Sequence, residues 1–315
     1  MTDETVLVTG GAGFIGSHLV DQLIAEGYNV RVLDNLSRSS KKYVQHHINC
    51  GKLEFIDGDV RYEDAIKRAI KGVDYVFHEA AICINRSMYY PKESMDINLA
   101  GSQNVFRLAL EHGVKRVVFA SSASIYGDPT KLPMGEDSEF KPITPYCVSK
   151  LASEFLLKFY AREGLEFNVL RYFNVYGLRQ KTDAYYTSVI IKFVQNLMHD
   201  QPPVIQGDGS QSMDFVNVRD VVRANMLALK SQAKNDFFNV GTGKATSIKE
   251  LALHIADAMG KKVEPIFSPR EVLVKERRAA TEKAERMLGF KAQVSIKDGI
   301  TEVVQDIVKH PELYY

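Results

Sequence analysis

The chain has 315 residues, of which 45% are hydrophobic, and a formal net charge of +1 at pH 7. That is enough apolar material for one large domain or two. A near-neutral balance argues against nucleic acid or an anionic membrane as the main partner, so an anionic ligand would need a local cluster of cations.

Thr5-Val6-Leu7-Val8 reads as a short buried strand, followed by Thr9-Gly10-Gly11-Ala12-Gly13-Phe14-Ile15-Gly16 and an amphipathic helix through Leu19, Val20, Leu23 and Ile24. Glycines at 10, 13 and 16 permit a tight turn, close backbone approach to a pyrophosphate and close helix–strand packing, while the helix start offers N–H groups to phosphate. A second strand, Val30-Arg31-Val32-Leu33, ends in Asp34, eighteen residues after Gly16. A carboxylate there accepts hydrogen bonds from a ribose diol and repels a 2′-phosphate, so NAD is expected over NADP, with Arg38 leaving NADP open. Further strand-like runs fall at Leu53–Ile56, Tyr75–Phe77, Val117–Ala120 and Asn168–Leu170, with helical stretches between them. This alternation predicts an α/β fold, a doubly wound parallel sheet covered on both faces. After Asn174 the pattern becomes irregular, with a helix expected at about Thr187–His199 and strands at Phe215–Val218 and Phe237–Val240.

Thr144-Pro145-Tyr146-Cys147-Val148-Ser149-Lys150 supplies a helix start, with Thr144 at the N-cap and Pro145 in the first turn. Tyr146 and Lys150, four apart, share a helix face. An ammonium close to a phenol is expected to lower the tyrosine's pKa toward neutrality and make it a proton-transfer group. Cys50, Cys83 and Cys147 have neither even pairing nor ligand spacing, and no metal site is expected. With no leader-like segment before the first strand and no apolar run of membrane-spanning length, a cytoplasmic location is expected.

From about residue 5 to about residue 310 the chain resembles the extended short-chain dehydrogenase/reductase family, in its nucleotide-sugar epimerase and dehydratase branch. Besides the segments above, the resemblance rests on Asp59-Val60, His78-Glu79-Ala80-Ala81, Asn98 opening a helix, and Ser121-Ser122-Ala123-Ser124-Ile125-Tyr126-Gly127. It continues through Arg171-Tyr172-Phe173-Asn174-Val175-Tyr176-Gly177, the Gly207–Phe215 run and Phe238-Asn239-Val240-Gly241-Thr242-Gly243. It implies a Rossmann-type NAD-binding domain at 1–174, rejoined at about 215–243, and a smaller substrate-binding cap from 175–214 and 244–315.

Carried over residue by residue, the resemblance assigns catalysis to Ser122, Tyr146 and Lys150. It assigns NAD to Gly10, Gly13, Phe14, Ile15, Gly16, Asp34, Asn35, Asp59, Val60, Ala80, Ala81, Asn98, Tyr146, Lys150 and Tyr172. Asn98 either supports Lys150 through a water or ends a loop at its helix start. His78 reads as a packing or backbone-bonding histidine, not a general base. Related dehydratases place an Asp-Glu pair where this chain has Ala123-Ser124, so elimination of water, which needs that added acid and base, is disfavoured. Reversible oxidation at one carbon remains, as in a UDP-hexose or UDP-N-acetylhexosamine 4-epimerase with bound NAD. A 4-keto reductase, a dehydratase of unusual pattern and a non-catalytic dinucleotide sensor are the alternatives.

Asn174, Lys192, Arg270 and Arg277 are the substrate candidates. The chain departs from the family at Met213, where an arginine is usual, and at Val272-Leu273, where Gly-Asp is usual; Lys275, Arg277 and Arg278 could compensate. Arg277 falls where a residue walls the sugar pocket, and it either turns to solvent, replaces the cation missing at Met213, or meets an acidic group on the sugar. Homodimerisation is implied through the helices near Asn98 and Tyr146, whose apolar residues include Val105, Leu108, Leu151, Phe155 and Phe159.

Overall fold

The computed structural model describes residues 3–182, 188–269 and 275–314. Its centre is a seven-stranded, fully parallel sheet. Six of its strands come first in the chain: β1 (Thr5–Thr9), β2 (Asn29–Asp34), β3 (Leu53–Asp57), β4 (Tyr75–His78), β5 (Arg116–Ser122) and β6 (Phe167–Tyr172). Short strands follow at β7 (Asn174–Tyr176), β8 (Val204–Gln206), β9 (Ser212–Met213) and β10 (Phe215–Asn217). The chain then returns to the sheet with β11 (Asp236–Val240) before β12 (Thr246–Ser247), β13 (Ile266–Ser268) and β14 (Glu276–Arg277). The sheet order is β11-β6-β5-β4-β1-β2-β3, so strand order reverses on either side of β1. In such a sheet the crevice beyond the carboxyl ends of the strands at the reversal is where a ligand binds.

Two cores sandwich this sheet because its central strands are apolar on both faces. One face packs helices Phe14–Ala25, Val218–Lys230 and Glu282–Leu288 against residues such as Val6, Val8, Val32 and Phe238. The other packs Glu63–Ile70, Ser102–Glu111 and Pro145–Arg162 against Leu7, Val76, Phe119 and Val169. A third core joins helices Val189–Met198, Ile248–Ala258 and Ile296–Lys309 beside the sheet.

β10 pairs with β7 in a separate two-stranded ladder, while β11 joins the main sheet. One expectation, that 244–315 belongs wholly to the cap, needs correction. Within 244–315, Ala284, Leu288 and Phe290 pack on the central-sheet core, because the face of the edge strand β11 needs an apolar cover. The helix expected near Thr187–His199 spans Val189–Met198, with Thr187 itself outside the described residues.

Candidate active site

The glycine turn leaves β1 where the sheet order reverses. Gly10 has a φ of +70°, and a Cβ there would lie 2.8 Å from the backbone nitrogen of Ala80, so only glycine lets the two loops touch. A Cβ on Gly16 would overlap the Gly10 carbonyl. Gly13 begins the helix Phe14–Ala25, and no side chain caps its first turn. That leaves first-turn donors for an anion. These features fit a pyrophosphate.

A cleft of about 370 Å³ opens over this turn. Gly10, Gly13, Phe14, Ile15, Gly16, Asp34, Asn35, Asp59, Val60, Ala80, Ala81 and Tyr146 all line it. Asp34 is buried and accepts from Ala12 N at 3.0 Å, Leu36 N at 2.8 Å and Ser39 Oγ at 2.6 Å. A carboxylate has about four acceptor positions, so room for a ribose hydroxyl remains. Asp59 is bound by Arg61 and by the Asn35 amide at 2.6 Å. Burial raises its pKa, but the Arg61 and Asn35 hydrogen bonds outweigh that and hold it below the ordinary aspartate value. The cleft also takes in Tyr43 and the segment Arg179–Thr182, which sequence reasoning did not find. The Arg179-Gln180-Lys181 run was the only local signal, and what brings it here is distant: Arg179 ion-pairs with Asp21 at 2.7 Å.

At the catalytic end, Thr144 caps helix Pro145–Arg162 as expected, its hydroxyl accepting from Cys147 N at 3.2 Å. Lys150 is buried under that helix, donates to the Ala120 carbonyl at 2.7 Å, and has its ammonium 5.8 Å from the Tyr146 ring centre. Burial pulls Lys150 down to about 8, while Glu79 and Glu154 pull it back up. Tyr146 departs from expectation: burial drives its pKa above the ordinary tyrosine value, against the downward pull of the nearby Ser122 hydroxyl. Ser122 and Tyr146 are thus brought together, with Lys150 beneath them and Tyr172 opposite Ser122 in the β5–β6 register.

Asn98 does not open a helix. It lies inside a π-helical turn, Met95–Gly101, fully buried, where its amide accepts from Ile82 N at 2.8 Å and donates to Ile82 O at 3.3 Å. It pins the loop after β4, a contact with a residue sixteen positions away that no local pattern announces. His78 is fully buried between the Thr9 hydroxyl at 2.7 Å and the Ser102 hydroxyl at 2.8 Å, and burial lowers its pKa to about 3. It is a neutral packing histidine bound to side chains, not backbone. Glu79, beside it, lines the cleft and accepts from Tyr172 Oη at 2.8 Å; burial raises it to about 7, against the pull of Tyr172 and Lys150.

A buried ion pair anchors the catalytic helix. Arg171 of β6 donates to both oxygens of Glu154, at 2.7 and 3.0 Å, and Ser121 Oγ donates to the same carboxylate at 2.6 Å. Arg171 also donates to Tyr126 Oη at 2.7 Å and to the Glu136 carbonyl at 2.8 Å. Sequence reasoning missed Glu154.

The substrate candidates are more scattered. Asn174 sits on β7, half-buried, and Lys192 is exposed on helix Val189–Met198. Arg270 and Val272-Leu273 lie outside the described residues. Arg277 is the register partner of Met213 on β9, and its guanidinium donates to the Gly127 carbonyl at 3.2 and 3.3 Å. It does not turn to solvent; burial is the first cause lowering its pKa. Asp214 holds this region together, accepting from Thr242 N, Gly243 N and Ala279 N at 2.7, 2.9 and 3.1 Å. Among the described residues, Asp21, His46 and His47 bring three metal-capable atoms within 4.8 Å, a grouping the sequence gave no sign of. Both Asp21 oxygens are already engaged, one in a hydrogen bond with His47 and the other in an ion pair with Arg179.

Residues 6–241 match the NAD dependent epimerase/dehydratase family. The chain belongs to that family. It is 41% identical over 306 residues to a putative UDP-glucose 4-epimerase of Methanocaldococcus jannaschii, covering 95% of this chain and 97% of the relative. Among solved structures, the UDP-glucose 4-epimerase of Thermotoga maritima with UDP-glucose superposes with a TM-score of 0.91 at 36% identity, covering 98% and 99% of the two chains. The UDP-N-acetylglucosamine 4-epimerase of Methanobrevibacter ruminantium, in complex with UDP-N-acetylmuramic acid, gives 0.92 at 33% identity, covering 98% and 100%. The family's glycine turn, Asp34 and Tyr146 are what surround the cleft here.

Proposed function

We propose that this protein is an NAD-dependent nucleotide-sugar 4-epimerase, acting on a UDP-hexose or UDP-N-acetylhexosamine through a transient 4-keto sugar. One observation carries this reading. Tyr146 lines the glycine-lined cleft with the Ser122 hydroxyl near enough to act on its phenol, while positions 123 and 124 hold alanine and serine in place of an acid–base pair. Similarity to 4-epimerases over nearly the whole chain supports it.

Bound NAD supplies a hydride acceptor for C4, a donor back to its opposite face, and a positively charged ring. The glycine turn and the first turn of helix Phe14–Ala25 hold the pyrophosphate, and Asp34 holds a ribose. Ser122 hydrogen-bonds the C4 hydroxyl and Tyr146 removes its proton, which requires the phenol to be ionised in the loaded site. Lys150 binds a ribose hydroxyl and keeps positive charge beneath the tyrosine. The 4-keto sugar turns over about its bond to the diphosphate, and Tyr146 returns the proton to the new C4 oxygen.

The cap assignment, with Asn174, Lys192 and Arg270 on the nucleotide sugar, belongs to the same proposal. So does a homodimer: Phe155 and Phe159 are exposed one turn apart on helix Pro145–Arg162, while Val105 and Leu108 are buried in the chain's own core. A monomeric mass by light scattering at micromolar concentration would contradict the dimer. A cytoplasmic location is in keeping with three unpaired cysteines and with no helix among the described residues being long and apolar enough to cross a membrane. Incubation with UDP-, dTDP-, GDP- and CDP-sugars, without added cofactor, tests the activity. C4 epimers should form from a UDP-sugar with no net nicotinamide consumption; stoichiometric consumption of NADH or NADPH would make the protein a reductase.

A further inference from the structure

We propose that Arg277 selects nucleotide sugars carrying an acidic group on the sugar, such as a uronic carboxylate or a lactyl ether; the inference rests on the epimerase reading above. The guanidinium has five donors. Among the described residues its hydrogen-bond acceptor is one neutral carbonyl, that of Gly127, reached by Nε and one terminal nitrogen. No carboxylate among the described residues lies in ion-pair contact with it; Asp128 and the Cys147 thiol act on it only from a distance. A desolvated cation held by a single carbonyl is costly unless an anion arrives to pair with it.

Two anions are available on a nucleotide sugar, the diphosphate and an acidic sugar substituent. The register partnership with Met213 would allow the first. The direction of the side chain favours the second. It crosses from β14 to Gly127, which ends the short turn Ala123–Tyr126 that Ser122 begins, and Cys147, the neighbour of Tyr146, is near enough to act on its charge. The charge therefore lies at the end of the site where the sugar reacts. A planar fork of donors suits a carboxylate there, and a neutral sugar would leave it unpaired.

The test compares Arg277→Gln and Arg277→Lys with the unaltered holoenzyme, using calorimetric affinity for UDP-glucose, UDP-N-acetylglucosamine, UDP-glucuronic acid and UDP-N-acetylmuramic acid, with circular dichroism to verify folding. The unaltered protein should bind at least one acidic sugar more tightly than its neutral counterpart. Arg277→Gln should weaken that acidic ligand on the order of 10- to 100-fold, the range of a charge-assisted hydrogen bond, and change neutral ligands less than threefold. Arg277→Lys should recover part of the loss. Equal losses for acidic and neutral sugars would overturn the proposal and put Arg277 on the diphosphate. No loss, or no preference for acid in the unaltered protein, would overturn it as well. If the unaltered protein binds no UDP-sugar of either kind, the epimerase reading itself fails, a different result from any of these.

Discussion

Replacing Glu154 by leucine should cost the fold about 3–5 kcal/mol, the range for removing one partner of a buried ion pair. Glu154 and Arg171 are each 3% exposed, so water cannot take over the guanidinium once the carboxylate is gone. The change removes the two arginine bonds and the Ser121 bond, leaving Arg171 with the Tyr126 hydroxyl and the Glu136 carbonyl, neither of them charged. Against a total stability of about 5–15 kcal/mol for a typical protein, the loss is a large fraction. Urea unfolding at pH 7.5, followed by circular dichroism, should show a much lower midpoint with an unchanged slope. The double variant Glu154→Leu/Arg171→Met removes both charges and should be more stable than Glu154→Leu alone. It should still fall about 1–3 kcal/mol short of the unaltered protein, because Tyr126 and Glu136 lose a donor. A single-variant loss under about 1 kcal/mol, or a double variant no better than the single one, would refute the argument that the pair's cost lies in the stranded guanidinium.

Tyr146→Phe should abolish epimerisation while cofactor affinity stays within a few-fold, since the glycine turn and Asp34 lie apart from the phenol oxygen; turnover within tenfold of the unaltered enzyme would remove Tyr146 from the mechanism. Gly10→Val should reduce NAD affinity at least tenfold by fluorescence titration, because its Cβ starts 2.8 Å from Ala80 N at a φ that favours glycine; unchanged affinity would mean the two loops part freely. Glu79 gives a pH signature. Its folded pKa of about 7 lies above the ordinary 4.5, so the folded state holds the proton longer, and the stability Glu79 contributes is complete below pH 4.5 and lost as pH rises through 7. The stability of the unaltered protein relative to Glu79→Gln should therefore decline across that window by on the order of 3 kcal/mol and level off above it; a flat difference would show that Glu79 titrates normally.

What the sequence determined by itself is what short-range periodicity and chemistry encode. The strands of the nucleotide half, the glycine turn, Asp34 and the Thr144-capped helix with Tyr146 and Lys150 on one face are local patterns, and each lies where its spacing put it. Arg179 was not legible, because it enters the cleft only through a partner 158 positions away. Glu154 was not either, since a lone glutamate on an amphipathic helix looks like a solvated face until β6 brings Arg171 beneath it. The charge state of the central pair was decided by burial: the same spacing that suggested an acidified phenol yields a phenol whose pKa is raised once the packed layers take Tyr146 out of water. Helix spacing fixes which side chains share a face, but the dielectric around them and the carbonyls they find depend on every layer packed above. Arg277 is the clearest case, a residue that sequence left between solvent and substrate and that a two-residue strand turned inward toward Gly127.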